Sequence, residues 1–161
     1  MIKFVVIAIF VIVGLGARSQ DSSLLFRHHV ALKLSEGPAV LQQCSRSSPQ
    51  HVTGLWEVSP DTVALVERNF WRLRGPFAGS TRNKPASHAD SMAYVHHFDG
   101  NQYIGVVIGG QRYVYINHVG EDLADCRTRA CIICDGGFGF WGALFNVATL
   151  EFSEESFNGP A

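Results

Sequence analysis

Neither sign of charge is in excess in this chain of 161 residues, where 13 Lys and Arg stand against 14 Asp and Glu, a net charge of −1. Nucleic acids are held largely by a surplus of Lys and Arg on one surface, so the balance gives no reason to expect a nucleic-acid partner. Charged residues make up only 17% of the chain and hydrophobic ones 47%, which excludes a disordered polar segment. No internal repeat and no low-complexity stretch is present, and the length suits a single domain with one core. Signatures of catalysis are missing as well. There is no G-x-S-x-G elbow, no H-E-x-x-H or H-x-H pair, and no EF-hand spacing of acids, and the cysteines lack a reactive-thiol pattern beside a positioned histidine. No metal and no cofactor is therefore expected.

The apolar run nearest to a membrane span is Phe4 to Ala17, behind the single Lys3. As a helix it would measure about 21 Å at 1.5 Å per residue, short of the roughly 30 Å hydrocarbon core. The pattern is that of a secretory signal peptide, with small residues permitting cleavage after Gly16 or after Ser19. Residues 1–19 are read as the signal and residues 20–161 as one mature domain, without a stable membrane anchor once the signal is removed. Losing Lys3 and Arg18 leaves 11 basic and 14 acidic side chains, a net charge of −3.

Export changes the meaning of the cysteines, which number only 4. In an oxidising compartment an even number reads as bridges, here two, with three possible pairings. Cys131 and Cys134 frame two isoleucines. On a strand such positions face opposite ways, which makes them poor partners. The favoured pairs are Cys126–Cys131, closing a short loop, and Cys44–Cys134, tying the first half of the chain to the second. A four-thiolate zinc site is the alternative, disfavoured by export and by the absence of two C-x2-C knuckles.

The clearest local element starts at Ser59. Ser59 is a helix cap, Pro60 suits the first helical turn and Asp61 complements the dipole, while Arg72, Arg74, Gly75 and Pro76 close the far end. Val63, Val66, Phe70 and Leu73 form one apolar stripe. Gly37-Pro38 opens a shorter helical segment bearing Val40, Leu41 and Cys44. No clear period marks residues 21–34, an irregular surface loop covers 76–91, and a weak helix or turn follows through Met92–His97. Residues 102–108 and 111–117 flank Gly109-Gly110 as a hairpin, the best-signalled strands in the chain. Further strands are expected near Ala130–Cys134, Phe140–Phe145 and Leu150–Phe157. The fold expected is α+β: an antiparallel sheet of about four or five strands, packed by one main helix and stapled by disulfides.

Chemistry-bearing residues remain to be placed. In Cys134-Asp135-Gly136-Gly137-Phe138-Gly139-Phe140-Trp141-Gly142, glycines alternate with large rings. The commoner use of such a pattern is a kinked strand whose rings fill the core. The alternative is display of aromatic anchors to a partner. Candidate binding residues are thus Asp135, Phe138, Phe140 and Trp141, with Asn117 at a strand end. Asp before Gly most often makes a turn, and Asn117 is most simply a cap. Trp56 suits a hydrophobic staple ahead of the helix, or an exposed anchor. Seven histidines include His96, His97, His88 and His118, without metal-ligand spacing.

Scattered motifs add a resemblance. Gln43-Cys44-Ser45-Arg46, Gly54-Leu55-Trp56 before Ser59-Pro60, Gln102-Tyr103-Ile104-Gly105-Val106, Tyr115-Ile116-Asn117, Cys134-Asp135-Gly136-Gly137 and Phe157-Asn158-Gly159 resemble a group of small exported proteins of Gram-negative bacteria with no assigned activity. It spans about residues 40–159. The resemblance implies a periplasmic home and Cys44–Cys134 as the shared bridge, with Cys126 and Cys131 as an addition, and it supplies no catalytic residue. The resulting expectation is a periplasmic or secreted, non-enzymatic binding protein of the inhibitor or immunity kind. It would bind another protein through residues 136–142 and the 76–91 loop. Two rivals are a hydrolase or metal-dependent enzyme centred on His118 and Asp135, and a structural envelope protein.

Overall fold

The computed structural model describes residues 28–73, 100–120 and 126–159, with the Phe138 side chain outside that set. Residues 1–19, read as a signal, and the expected 76–91 loop and Met92–His97 helix or turn all lie outside the described residues. In chain order the elements are β1 (His29–Ala31), α1 (Gly37–Val40), β2 (Val52–Trp56), α2 (Pro60–Arg68), β3 (Asn101–Ile108), β4 (Gln111–His118), β5 (Trp141–Asn146) and β6 (Glu151–Phe157), with single 3-10 turns at Leu34–Glu36, Phe70–Arg72 and Gly137–Gly139.

Five strands run in the order β1-β3-β4-β5-β6, and β2 shares the β3 edge with β1. The fold is α+β, but its sheet is mixed. Three residues of β1 pair parallel with Asn101, Gln102 and Tyr103, whereas every other pairing is antiparallel. A strand of three residues is too short to show a period of two, which is why β1 leaves no mark in the sequence. The β3–β4 turn places Gly109 at φ 56° and Gly110 at φ 76°, the two consecutive positive values that a two-residue hairpin turn requires.

Helix α2 begins as its cap predicts, with Ser59 Oγ accepting from the Thr62 N–H at 3.2 Å. It ends earlier than expected, at Arg68. The Asn69 side-chain amide donates to the Leu65 carbonyl at 2.8 Å, and the Asn69 backbone N–H turns instead to Val66 at 2.9 Å. That competition for the carbonyl tightens the chain into the 3-10 turn at Phe70–Arg72.

The sheet has two covered faces. On one, Tyr103, Val114, Ile116, Trp141, Ala143 and Phe145 meet Val63, Val66, Phe70 and Leu73 from the helical segment. On the other, Ile104, Val106, Tyr115 and Leu144 meet Leu32 and Val40. Trp56 is half-buried rather than an exposed anchor, and it packs against the helix-side core. Its indole lies over Gly105, where an added Cβ would fall 2.3 Å from the Trp56 carbonyl oxygen. Its N–H donates to the carbonyls of Val106 and Tyr113 at 3.2 and 3.1 Å.

Candidate functional site

Cys44 is bonded to Cys134 and Cys126 to Cys131, with no free cysteine, so no thiolate remains for a metal. Among the described residues no group of three or more His, Cys, Asp or Glu is placed to share a metal ion. Both bridges reach the same short segment, residues 126–135. This stretch includes Ala130–Cys134, expected as a strand, and the structure assigns it none. The reason is where its hydrogen bonds go: to side chains rather than to a neighbouring backbone.

Three polar side chains on the second face of the sheet make most of those bonds, Gln102, Asn117 and Asn158, and a fourth, Arg46, holds two of them; all four are buried. The Gln102 amide donates to the carbonyls of Cys126 and Arg129 at 2.6 and 2.7 Å. Its oxygen accepts from the Cys131 N–H at 2.9 Å and from Asn117 Nδ2 at 2.9 Å. Asn117 Nδ2 also donates to the Cys131 carbonyl at 2.9 Å. Asn158 Nδ2 donates to Ile133 and Asp135 at 2.5 and 2.9 Å. The carbonyls of 129, 131, 133 and 135 are thus all held from inside, which is the alternation of an extended chain.

Arg46 orients two of these amides. One guanidinium nitrogen donates to Asn158 Oδ1 at 2.9 Å and the other to Asn117 Oδ1. With each oxygen committed to the cation, each NH2 group must point at the segment. The guanidinium has no carboxylate among these partners, and such charge-assisted bonds are what make its burial tolerable. Above it, burial raises the pKa of the Tyr115 phenol, against an opposing pull from the Arg46 charge. Glu36 accepts from the Ala130 N–H of the segment at 2.8 Å, and beyond the segment Ser45 Oγ accepts from the Gly159 N–H at 2.8 Å.

The residues selected from the sequence are scattered by this arrangement. Asp135 is exposed beside the bridge. Asn117 is wholly buried within β4 rather than capping a turn. Trp141 is 2% exposed and belongs to the helix-side core, and Phe140 is half-buried against Gly136, where a Cβ would fall 2.3 Å from the ring. Gly136 and Gly142 therefore make room for the rings of Phe140 and Tyr115, whereas a Cβ at Gly137 or Gly139 would meet nothing within 4 Å, and residues 140–141 form no aromatic display surface. The Phe138 side chain lies outside the described residues. Of the contributors to the buried network, Gln102 and Asn117 carried a signal, as amides inside otherwise apolar strands. Arg46 and Asn158 carried none beyond their place in the resemblance.

His118 and Asp135 do not form a centre. His118 lies on the helix side, stacked on Trp141 at 5.1 Å between centroids and bonded through Nδ1 to Asn101 Oδ1 at 2.9 Å. Asp135 is tied through Asn158 to Arg46, on the other face. Burial, and secondarily the Arg46 charge, lower the His118 pKa to about 4, so the ring is neutral near pH 7. Above about pH 6.5 folded and unfolded chains both carry the neutral ring. As pH falls from there toward 4 only the unfolded chain takes up the proton, and stability should drop by on the order of 2–3 kcal/mol. Urea midpoints measured across this range should show that slope in the wild type and a shallower one in His118→Gln.

Comparison of the chain with protein-family models, with curated proteins and with solved structures finds no match in any of the three. The fold and site define a class by their own geometry: a mixed-sheet α+β domain with two disulfides, whose buried amides hold one extended surface segment.

Proposed function

We propose that this chain is a small exported binding protein, periplasmic or secreted, of the inhibitor or immunity kind, which recognises another protein through residues 126–136 and catalyses no reaction of its own. One observation carries this reading. Two disulfides and three buried amides, two of them held by Arg46, all act on a single largely exposed segment. Restraint of that kind lowers the entropy lost on association and so raises affinity. Disulfides persist in oxidising compartments, and no helix among the described residues is long and apolar enough to cross a membrane. Both facts are in keeping with an exported protein.

A photoreactive residue placed at Ile132 tests the proposal in cells that export the protein. Cross-linking to a defined partner is expected there, with none from Gln111, an exposed position at the tip of the β3–β4 hairpin. Equal cross-linking at both positions, or none at either, would remove the segment as a recognition surface.

A further inference from the structure

The partner's chemistry is legible in the segment. Ile132 is 44% exposed, and among the described residues only Leu34, at 37%, is another large hydrophobic side chain set out in this way. Its neighbours turn inward, since Cys131 and Ile133 pack against Val119 and Cys126. The carbonyls of 131 and 133 are bonded from within, whereas among the described residues neither Ile132 nor Cys134 has a backbone hydrogen bond. An extended chain directs the backbone groups of alternate residues to opposite edges. Here one edge is paired to Gln102, Asn117 and Asn158; on the other the Ala130 N–H is taken by Glu36 at 2.8 Å, and among the described residues the backbone groups of Ile132 and Cys134 are left open.

A backbone edge left open beside an apolar side chain set outward matches the way a cleft binds an extended peptide. Main-chain pairing supplies affinity there, and a pocket for the alternate side chain supplies specificity. The covalent frame adds a second constraint. The Ile132–Ile133 bond lies between Cys131, bridged to Cys126, and Cys134, bridged to Cys44. Neither side of that bond would be free to diffuse away if it were cut. Substrates leave a peptidase after cleavage, whereas a segment held on both sides stays in place.

We infer that residues 131–135 dock as an extended strand in the substrate cleft of an endopeptidase with an aliphatic primary pocket, Ile132 filling that pocket, so that the protein is a peptidase inhibitor. The inference rests on the binding role proposed above and names the class of its partner. Ile132 is the specificity-determining residue, and Arg46, Asn117 and Asn158 are positioning residues that keep the strand extended.

The test uses the full mature chain with both bridges formed, assayed against pancreatic elastase, which accepts small and branched aliphatic residues, and against trypsin, which requires Arg or Lys. The wild type should inhibit elastase competitively and remain intact. Ile132→Arg should fold as the wild type does and transfer inhibition to trypsin, with a change in the ratio of inhibition constants of at least about 100-fold. Asn117→Ala, in its folded fraction, should be cut at Ile132–Ile133 faster than the wild type. No inhibition of either enzyme by either protein, or inhibition unaffected by Ile132→Arg, would overturn the inference. So would self-association through the segment, seen as a dimer that Ile132→Asp abolishes. Cross-linking from position 132 separates the two levels. A partner without a peptidase active site removes the peptidase and leaves the binding role, while no partner removes both.

Discussion

Trp141→Ala is expected to lower the stability of the oxidised protein by about 3–5 kcal/mol, the cost of emptying a buried tryptophan site. The ring is 2% exposed and is stacked on His118, with the Phe70 ring edge-on at 6.2 Å between centroids. Its strand is paired on both sides, to β4 through His118 and to β6 through Phe157. A hole at this position is therefore framed by fixed backbone and cannot close by collapse. Guanidinium unfolding with both bridges intact measures the effect. Recognition through position 132 should persist in the folded fraction of this variant, because the ring lies on the opposite face from the amides that hold residues 126–135. An unchanged midpoint together with lost recognition would reverse that assignment and place the ring at the binding surface.

The second large effect is expected at Arg46. Replacing it with methionine keeps much of the aliphatic stem but leaves Asn117 Oδ1 and Asn158 Oδ1 without their buried donor. Unsatisfied buried acceptors cost about 1–3 kcal/mol each, so a loss of about 2–6 kcal/mol is expected for the pair. The change has a second readout that a simple packing defect would not produce. With their oxygens released, the two amides are no longer forced to present NH2 groups to residues 131, 133 and 135. Hydrogen exchange at Cys131, whose N–H donates to Gln102 Oε1 beside Asn117, should speed up more than exchange in the β3–β4 hairpin. Equal acceleration at both places would mean that Arg46 supports the fold at large and not the segment.

Much of this architecture is legible in the residues themselves. The β3–β4 hairpin follows from alternating apolar residues around Gly109-Gly110, and the start of α2 from Ser59, Pro60 and Asp61, because turns and caps are local chemistry. The end of α2 is not legible in the same way, because Asn69 competes for a carbonyl that only the three-dimensional arrangement shows it reaching. β1 leaves no local signal because a partner 72 residues along the chain, at Asn101, makes it a strand, and no window of sequence contains that partner. Residues 130–134 have the β-branched composition of a strand, yet they pair with side chains, so composition correctly predicted extension and wrongly predicted a ladder.

The candidate site divides in the same way. By itself the sequence determined that the chain is small and nearly neutral, that its four cysteines read as bridges, and that a glycine-rich aromatic run lies near its end, since each of these is a matter of residue type and spacing. Whether Trp141 faced a partner or the core was decided only by the tertiary structure, because alternation along β5 has no meaning until α2 covers one face. The tertiary structure also decided that Arg46, Gln102, Asn117 and Asn158, separated by up to 112 positions, converge on one segment. Burial makes each of those polar groups seek a partner, and only the fold determines which partners are within reach.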